Sequence, residues 1–171
     1  GFFNFARKEE DDKDVFNTGF SSVLLVTLLF TLLSFVFATP IINFIGYPGK
    51  EIYVYVFTLL LSFDGLSALP FAWLRYKNKA KKFAFIRSLN IVINVLLTLF
   101  FFLLCPYLLE NGNALPFFKM EDLVLYAFVS NLVASLVTFL FLLPQMSFRF
   151  GFANKPLRKR MLLYSYPLIF T

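Results

Sequence analysis

The chain has 171 residues, of which 59% are hydrophobic, 15% charged and 26 are phenylalanine, with a mean hydropathy of +0.74. Soluble domains run at about 45–50% apolar and about 25% charged, so the composition excludes an ordinary soluble fold and asks for a bilayer as solvent. The net charge of +6 sits in short clusters between long apolar runs, which excludes a nucleic-acid surface and reads instead as a membrane-topology signal.

The N-terminal stretch holds Arg7, Lys8 and Lys13 among Glu9, Glu10, Asp11, Asp12 and Asp14, a charged opening in which no secretory signal peptide is visible. The first apolar run covers 19–38 and is followed by Pro40. Twenty residues at 1.5 Å each make about 30 Å, enough to cross a hydrocarbon core. A second span is expected over 52–74, interrupted in character by Asp64, Gly65 and Pro70, with Pro70 expected to kink it. A third covers 83–105, stopped by Pro106, and a fourth 123–143, stopped by Pro144. A fifth begins near 161 and runs to the last residue, 171. The expected fold is therefore an all-α, polytopic transmembrane helix bundle with four complete spans and the start of another. With no initiator Met and an apolar run at its end, the chain is expected to be an internal piece of a longer protein.

Connections alternate in charge. Of the 16 basic residues only Lys50 and Lys119 lie in the loops after the first and third spans; the other fourteen fall before the first span, between the second and third (Arg75, Lys77, Lys79, Lys81, Lys82, with Arg87 just inside), and after the fourth. By the positive-inside rule the basic side is cytoplasmic, as are both chain ends. Glu51, Glu121 and Asp122 suit the positive ends of helix dipoles at the other side. Tyr53, Trp73, Tyr76, Tyr107 and Tyr126 fall near span ends, as interfacial aromatics do. Pro48–Gly49 and Asn111–Gly112–Asn113 mark turns in the two outer loops.

Each span has one polar or small face. Thr27, Thr31 and Ser34 share a stripe on the first span, and Asn131, Ser135 and Thr138 on the fourth. On the third, Arg87, Asn90, Asn94 and Thr98 step by three, four and four. On the second, Ala68, Phe71 and Arg75 follow Asp64 along one face. Two explanations stand side by side: helix packing, with about 0.6 kcal/mol per interhelical hydrogen bond, and a shared hydrated cavity. Asp64 is the sharpest signal, because a carboxylate at mid-span costs about 2.5–3.5 kcal/mol on insertion scales and needs water or a partner. Arg87 lies about one turn inside its span and is equally able to snorkel to the interface. With no His and the single Cys105, no internal disulfide, metal set or catalytic motif emerges, so neither enzyme activity nor a cofactor is expected.

The run Phe63–Asp64–Gly65–Leu66–Ser67–Ala68–Leu69–Pro70–Phe71–Ala72–Trp73–Leu74–Arg75–Tyr76 is followed by a Lys-rich loop and Phe83–Ala84–Phe85–Ile86–Arg87–Ser88–Leu89–Asn90–Ile91–Val92–Ile93–Asn94. This region resembles bacterial polysaccharide biosynthesis proteins of the oligosaccharide-flippase type, within the multidrug/oligosaccharidyl-lipid/polysaccharide exporter superfamily. The opening Phe2–Phe3–Asn4–Phe5–Ala6–Arg7 resembles the cytoplasmic end of that family's second helix, and Leu163–Tyr164–Ser165–Tyr166–Pro167–Leu168–Ile169 the start of its seventh. The resemblance implies that residues 1–171 form part of the N-terminal bundle of a twelve- to fourteen-helix transporter in the bacterial inner membrane. Such a protein moves lipid-linked oligosaccharide or polysaccharide precursors by alternating access, with membrane lipids and the rest of the polypeptide as further partners.

On this reading Asp64, Arg87, Asn90 and Asn94 are the candidate substrate- or ion-binding residues, and Thr98, Asn131 and Ser135 line the cavity. A drug/cation antiporter of the same superfamily and a membrane-bound glycan polymerase or ligase are the rival readings. The second of these would need large outer loops, and the outer loops here span only about ten to fifteen residues.

Overall fold

The computed structural model describes residues 12–111, 118 and 122–145. The expected fifth span, the Arg7–Lys8 and Arg149–Arg160 clusters and the two end segments of the family resemblance lie outside the described residues. Every element among the described residues is helical: α1 Asp12–Val36, α2 Ala38–Ile45, α3 Glu51–Tyr76, α4 Ala80–Leu99, a π-turn Phe100–Leu104, α5 Cys105–Glu110, α6 Leu123–Leu142 and a final 3₁₀ turn Leu143–Gln145. Four helical segments are long and apolar enough to cross a membrane: Lys13–Val36, Glu51–Tyr76, Ala80–Glu110 and Leu123–Leu142. The best covered of them has only 33% of its apolar window buried within the chain. The rest, including Leu25, Val26, Leu28, Leu29 and Leu32 on α1, is open large-hydrophobic surface suited to lipid or to further helices.

Two prolines behave differently from what position alone suggests, and a third, Pro70, lies inside its span as expected. The first span does not stop at Pro40. It ends at Val36, and α2 restarts at Ala38 with Pro40 inside its first turn, where a missing N–H costs little. Pro70 lies within α3, which runs on to Tyr76. Pro106 does not end the third span either. The five-residue π-turn lies immediately before it, and the Cys105 N–H reaches back to the Phe100 carbonyl. That wider turn accommodates a proline ring that would otherwise clash with the carbonyl four residues earlier, so the helix continues as α5 to Glu110.

Two chain reversals are closed by residues in the left-handed region. Gly46 (φ 90°) ends α2, with the Tyr47 N–H on the Ile42 carbonyl at 3.1 Å. Asn78 (φ 54°) ends α3, with the Asn78 N–H on Arg75 O at 3.1 Å and the Lys79 N–H on Leu74 O at 2.9 Å. Both pairings are Schellman caps, and Asn is the non-glycine residue that best tolerates that backbone. The second cap has a functional consequence, since it folds α4 back along the end of α3.

The spans do not pack in chain order. α3 packs broadly against α1 and α6, and α6 against α4, whereas α3 and α4 touch lightly. The fourth span is thus inserted between the second and third. Its small buried residues Ser130, Ala134, Ser135 and Thr138 allow close approach on both sides, the usual basis of helix association in lipid. Phe16, Phe20 and Trp73 join α1 to α3. Leu74, Ile86 and Leu142 join α3, α4 and α6 at the end that carries the basic turn.

Candidate functional site

Because α6 separates most of α3 from α4, the two diverge away from the Asn78 turn and leave a cleft of about 380 Å³. α3 contributes Asp64, Ser67, Ala68, Phe71, Ala72 and Arg75 to its walls, α4 contributes Phe83, Arg87 and Asn90, and α6 contributes Thr138. The α3 wall is the face projected from Asp64 by helical steps, and it reaches Arg75 at the basic end.

Asp64 is exposed on this cleft and accepts a hydrogen bond from Ser135 Oγ at 2.6 Å. The fourth span thus supplies the partner that a mid-span carboxylate needs. The Asn90 amide donates to Thr138 Oγ1 at 2.9 Å. Farther from the basic turn, the Asn94 amide donates to Asn131 Oδ1 at 3.3 Å, and Thr98 Oγ1 donates to Asn94 Oδ1 at 3.4 Å. The polar row of the third span therefore divides. Arg87 and Asn90 line the cleft, while Asn94 and Thr98 join Asn131 in a hydrogen-bonded seam between α4 and α6, outside the cleft wall. On the first span the stripe serves packing: Thr31 Oγ1 and Ser62 Oγ are 2.7 Å apart, and Thr27 lies 3.8 Å from where a Cβ on Gly65 would stand.

Charge is unevenly satisfied. Among the described residues no ion pair joins Asp64 to Arg75 or Arg87, and no other carboxylate pairs with either guanidinium. Each guanidinium instead lies over an aromatic ring from the opposite helix. Arg75 Cζ is 4.5 Å from the Phe83 centroid, and Arg87 Cζ is 5.8 Å from that of Phe71. Phe71 and Phe83 meet edge to face, 5.4 Å apart at 78°. Each cation–aromatic contact contributes about 0.5–1 kcal/mol at exposed sites.

At the opposite end of α3 and α6 the charges are matched. Lys50 Nζ donates to Asp122 Oδ1 at 3.0 Å, and Tyr53 Oη donates to the same oxygen at 3.2 Å. Phe118, Tyr126 and Phe101 stack in series there, with centroid separations of 4.9 and 5.0 Å.

The structure thus brings Asp64, Arg87 and Asn90 together on one cleft, with Ser135 behind the carboxylate. Arg75, Phe71, Phe83 and Ser67 are lining residues that the sequence reading left out of the site. Arg75 and Phe71 carried a signal, lying on the Asp64 face, and Phe83 lies one turn before Arg87. Ser67 carried none, because an isolated serine in a span is ordinary. No metal-ligating cluster occurs among the described residues. Comparison with protein-family models, curated proteins and solved structures finds no match to this chain. The four helices make the chain multi-pass in kind.

Proposed function

We propose that the chain belongs to a membrane transporter that carries lipid-linked oligosaccharide or polysaccharide precursors across the bacterial cytoplasmic membrane by alternating access, without covalent chemistry. One observation carries the reading: a polar cleft with two guanidiniums and a carboxylate opens among helices whose remaining surface is apolar. A static scaffold has no use for such a cleft, since polar groups at membrane depth are costly unless they face water or a ligand. The resemblance over Phe63–Asn94 supports the same class, and the charge alternation of the loops supports a cytoplasmic Arg75–Lys82 turn.

In this mechanism the cleft receives the polar head group from the cytoplasmic face while the lipid tail stays in the bilayer. Arg87 attracts its anionic part and Asn90 hydrogen-bonds it. Asp64, held by Ser135, takes a proton, a cation or a sugar hydroxyl. Asn94, Thr98 and Asn131 keep α4 and α6 in register behind them. Rocking of this bundle against helices elsewhere in the transporter exposes the cleft to the other side.

The test is translocation of lipid-linked oligosaccharide by the full-length protein carrying Asp64→Ala or Arg87→Ala. Accumulation of the lipid-linked intermediate on the cytoplasmic face is the expected result, and normal translocation in both variants refutes the site. A drug/cation antiporter is the second reading, favoured by the exposure of Asp64 on the cleft. It requires that Asp64→Asn abolish pH- or ion-driven efflux of an organic cation while lipid-linked sugar is left unmoved.

A further inference from the structure

We infer that the outward face of α4, at its basic end, is a docking site for an anionic phospholipid, with Lys81 and Lys82 at the head group and Phe85 and Val92 along the acyl chains. The inference goes beyond the transport reading and does not rest on it, because this face lies on the far side of α4 from the cleft.

Phe83, Arg87 and Asn90, which line the cleft, share one face of α4. Lys81, Phe85 and Val92 follow one another by four and seven residues and lie half a turn round the helix from that face. Lys82 flanks the same stripe, three residues before Phe85. Both lysines are exposed, and Phe85, Val92, Leu96 and Leu99 are 61%, 51%, 61% and 48% exposed. Two cations thus stand at the head of an open apolar stripe. Lys81 and Val92 are separated by eleven residues of helix, roughly 16 Å at 1.5 Å per residue. That is about half of a hydrocarbon core of about 30 Å, the reach of one lipid in one leaflet.

Charge selects the occupant. From Gly65 to Leu109 the chain has no acidic residue, while Arg75, Lys77, Lys79, Lys81, Lys82 and Arg87 gather at this end of the two spans. Asp12 and Asp14 begin α1, which packs against α3, and Asp64 faces the cleft, where Ser135 holds it. A helix laid on the outward face of α4 would have to bring acids of its own and strip them of water. A lipid phosphate meets the lysines at the bilayer surface while both stay hydrated, which suits the compact, strongly hydrated ammonium. The lysine stems lie along the apolar stripe as their heads reach the surface, and acyl chains cover Phe85 and Val92 without burying a polar group. A zwitterionic lipid carries its own cation beside the phosphate, so the complement to this face is a head group of net negative charge.

The experiment uses the full-length protein in phosphatidylcholine vesicles doped with phosphatidylglycerol or phosphatidylcholine carrying brominated acyl chains, which quench a tryptophan only at close range. Phe85→Trp is the reporter, read as the quenching it adds over the parent protein, and Val92→Trp is a second reporter deeper on the same face. Brominated phosphatidylglycerol is expected to be preferred at both. Lys81→Gln and Lys82→Gln are each expected to lower that preference about fivefold, the worth of one basic residue at an anionic surface, and the double variant to abolish it. Lys81→Arg with Lys82→Arg should retain it, and raised salt should weaken it. Leu103→Trp, a 65% exposed position at the other end of the span, should be quenched alike by both lipids. Equal quenching by the two lipids at Phe85→Trp, or a preference that survives in the double glutamine variant, overturns the site. Quenching by neither lipid also overturns it, since another helix then covers the face. The readout is independent of translocation, so each of these failures leaves the transport reading standing.

Discussion

The two ends of α3 and α6 solve the same problem in opposite ways. At one end Lys50 and Tyr53 both donate to a single carboxylate oxygen of Asp122 and three aromatic rings stack beside them. At the other, Arg75 of α3 and Arg87 of α4 line one cleft, each over a phenylalanine ring and neither paired with a carboxylate among the described residues. Matched charge ties one end directly, whereas at the basic end Leu74, Ile86, Leu142 and the Phe71–Phe83 contact hold the helices together and the cleft opens where α6 parts α3 from α4. The comparison teaches that one end is tied by an ion pair and the other by apolar packing, and that the helix lying between the second and third spans decides where the cleft opens.

The largest effect is expected where that difference meets function. Asp64→Ala should reduce translocation by about tenfold or more, since a charged hydrogen-bonding group is lost from the cleft; transport assays in membrane vesicles check it. Ser135→Ala, which strips Asp64 of its 2.6 Å donor, should destabilise the folded protein by about 1.5–3 kcal/mol, read by denaturant unfolding in mixed micelles. Asn94→Leu should cost about 0.6 kcal/mol, with about 1.7 as the upper end for an interhelical bond in lipid, and should leave translocation far less affected than Asp64→Ala because Asn94 lies outside the cleft wall. A marked loss of translocation in a folded Asn94→Leu protein would move the site deeper along α4. The smallest effect is expected at the closed end. The Lys50 and Asp122 side chains are 41% and 25% exposed, so Lys50→Met should cost about 0.2–1 kcal/mol, and less in high salt. If it instead opened that end and abolished transport, the charge-matched contact would be a moving gate and no longer a static tie.

Much of the site was legible in the residues. Helical spacing put Asp64, Phe71 and Arg75 on one face and Arg87 and Asn90 on another, and both faces line the cleft. Asn94 belongs to the same stripe as Asn90 yet pairs with Asn131 in a seam, because a stripe on a straight helix passes successively different neighbours. The ends of the elements were less legible. Pro106 read as a stop because its effect on an α-helix is local and known, but the π-turn before it absorbs the ring and the helix continues. Tyr53 read as an interfacial aromatic, and its bond to Asp122, 69 residues away, was invisible.

The sequence by itself determined that four apolar helices exist, where their polar faces lie, and that a carboxylate sits near the middle of one of them. These are local properties of composition and of the 3.6-residue period. Only the tertiary structure decided that the fourth span enters between the second and third, bringing Ser135 to Asp64 and parting α3 from α4 so that a cleft remains. That order depends on how closely the small faces of non-adjacent helices approach one another, a fit between surfaces that no single helix encodes.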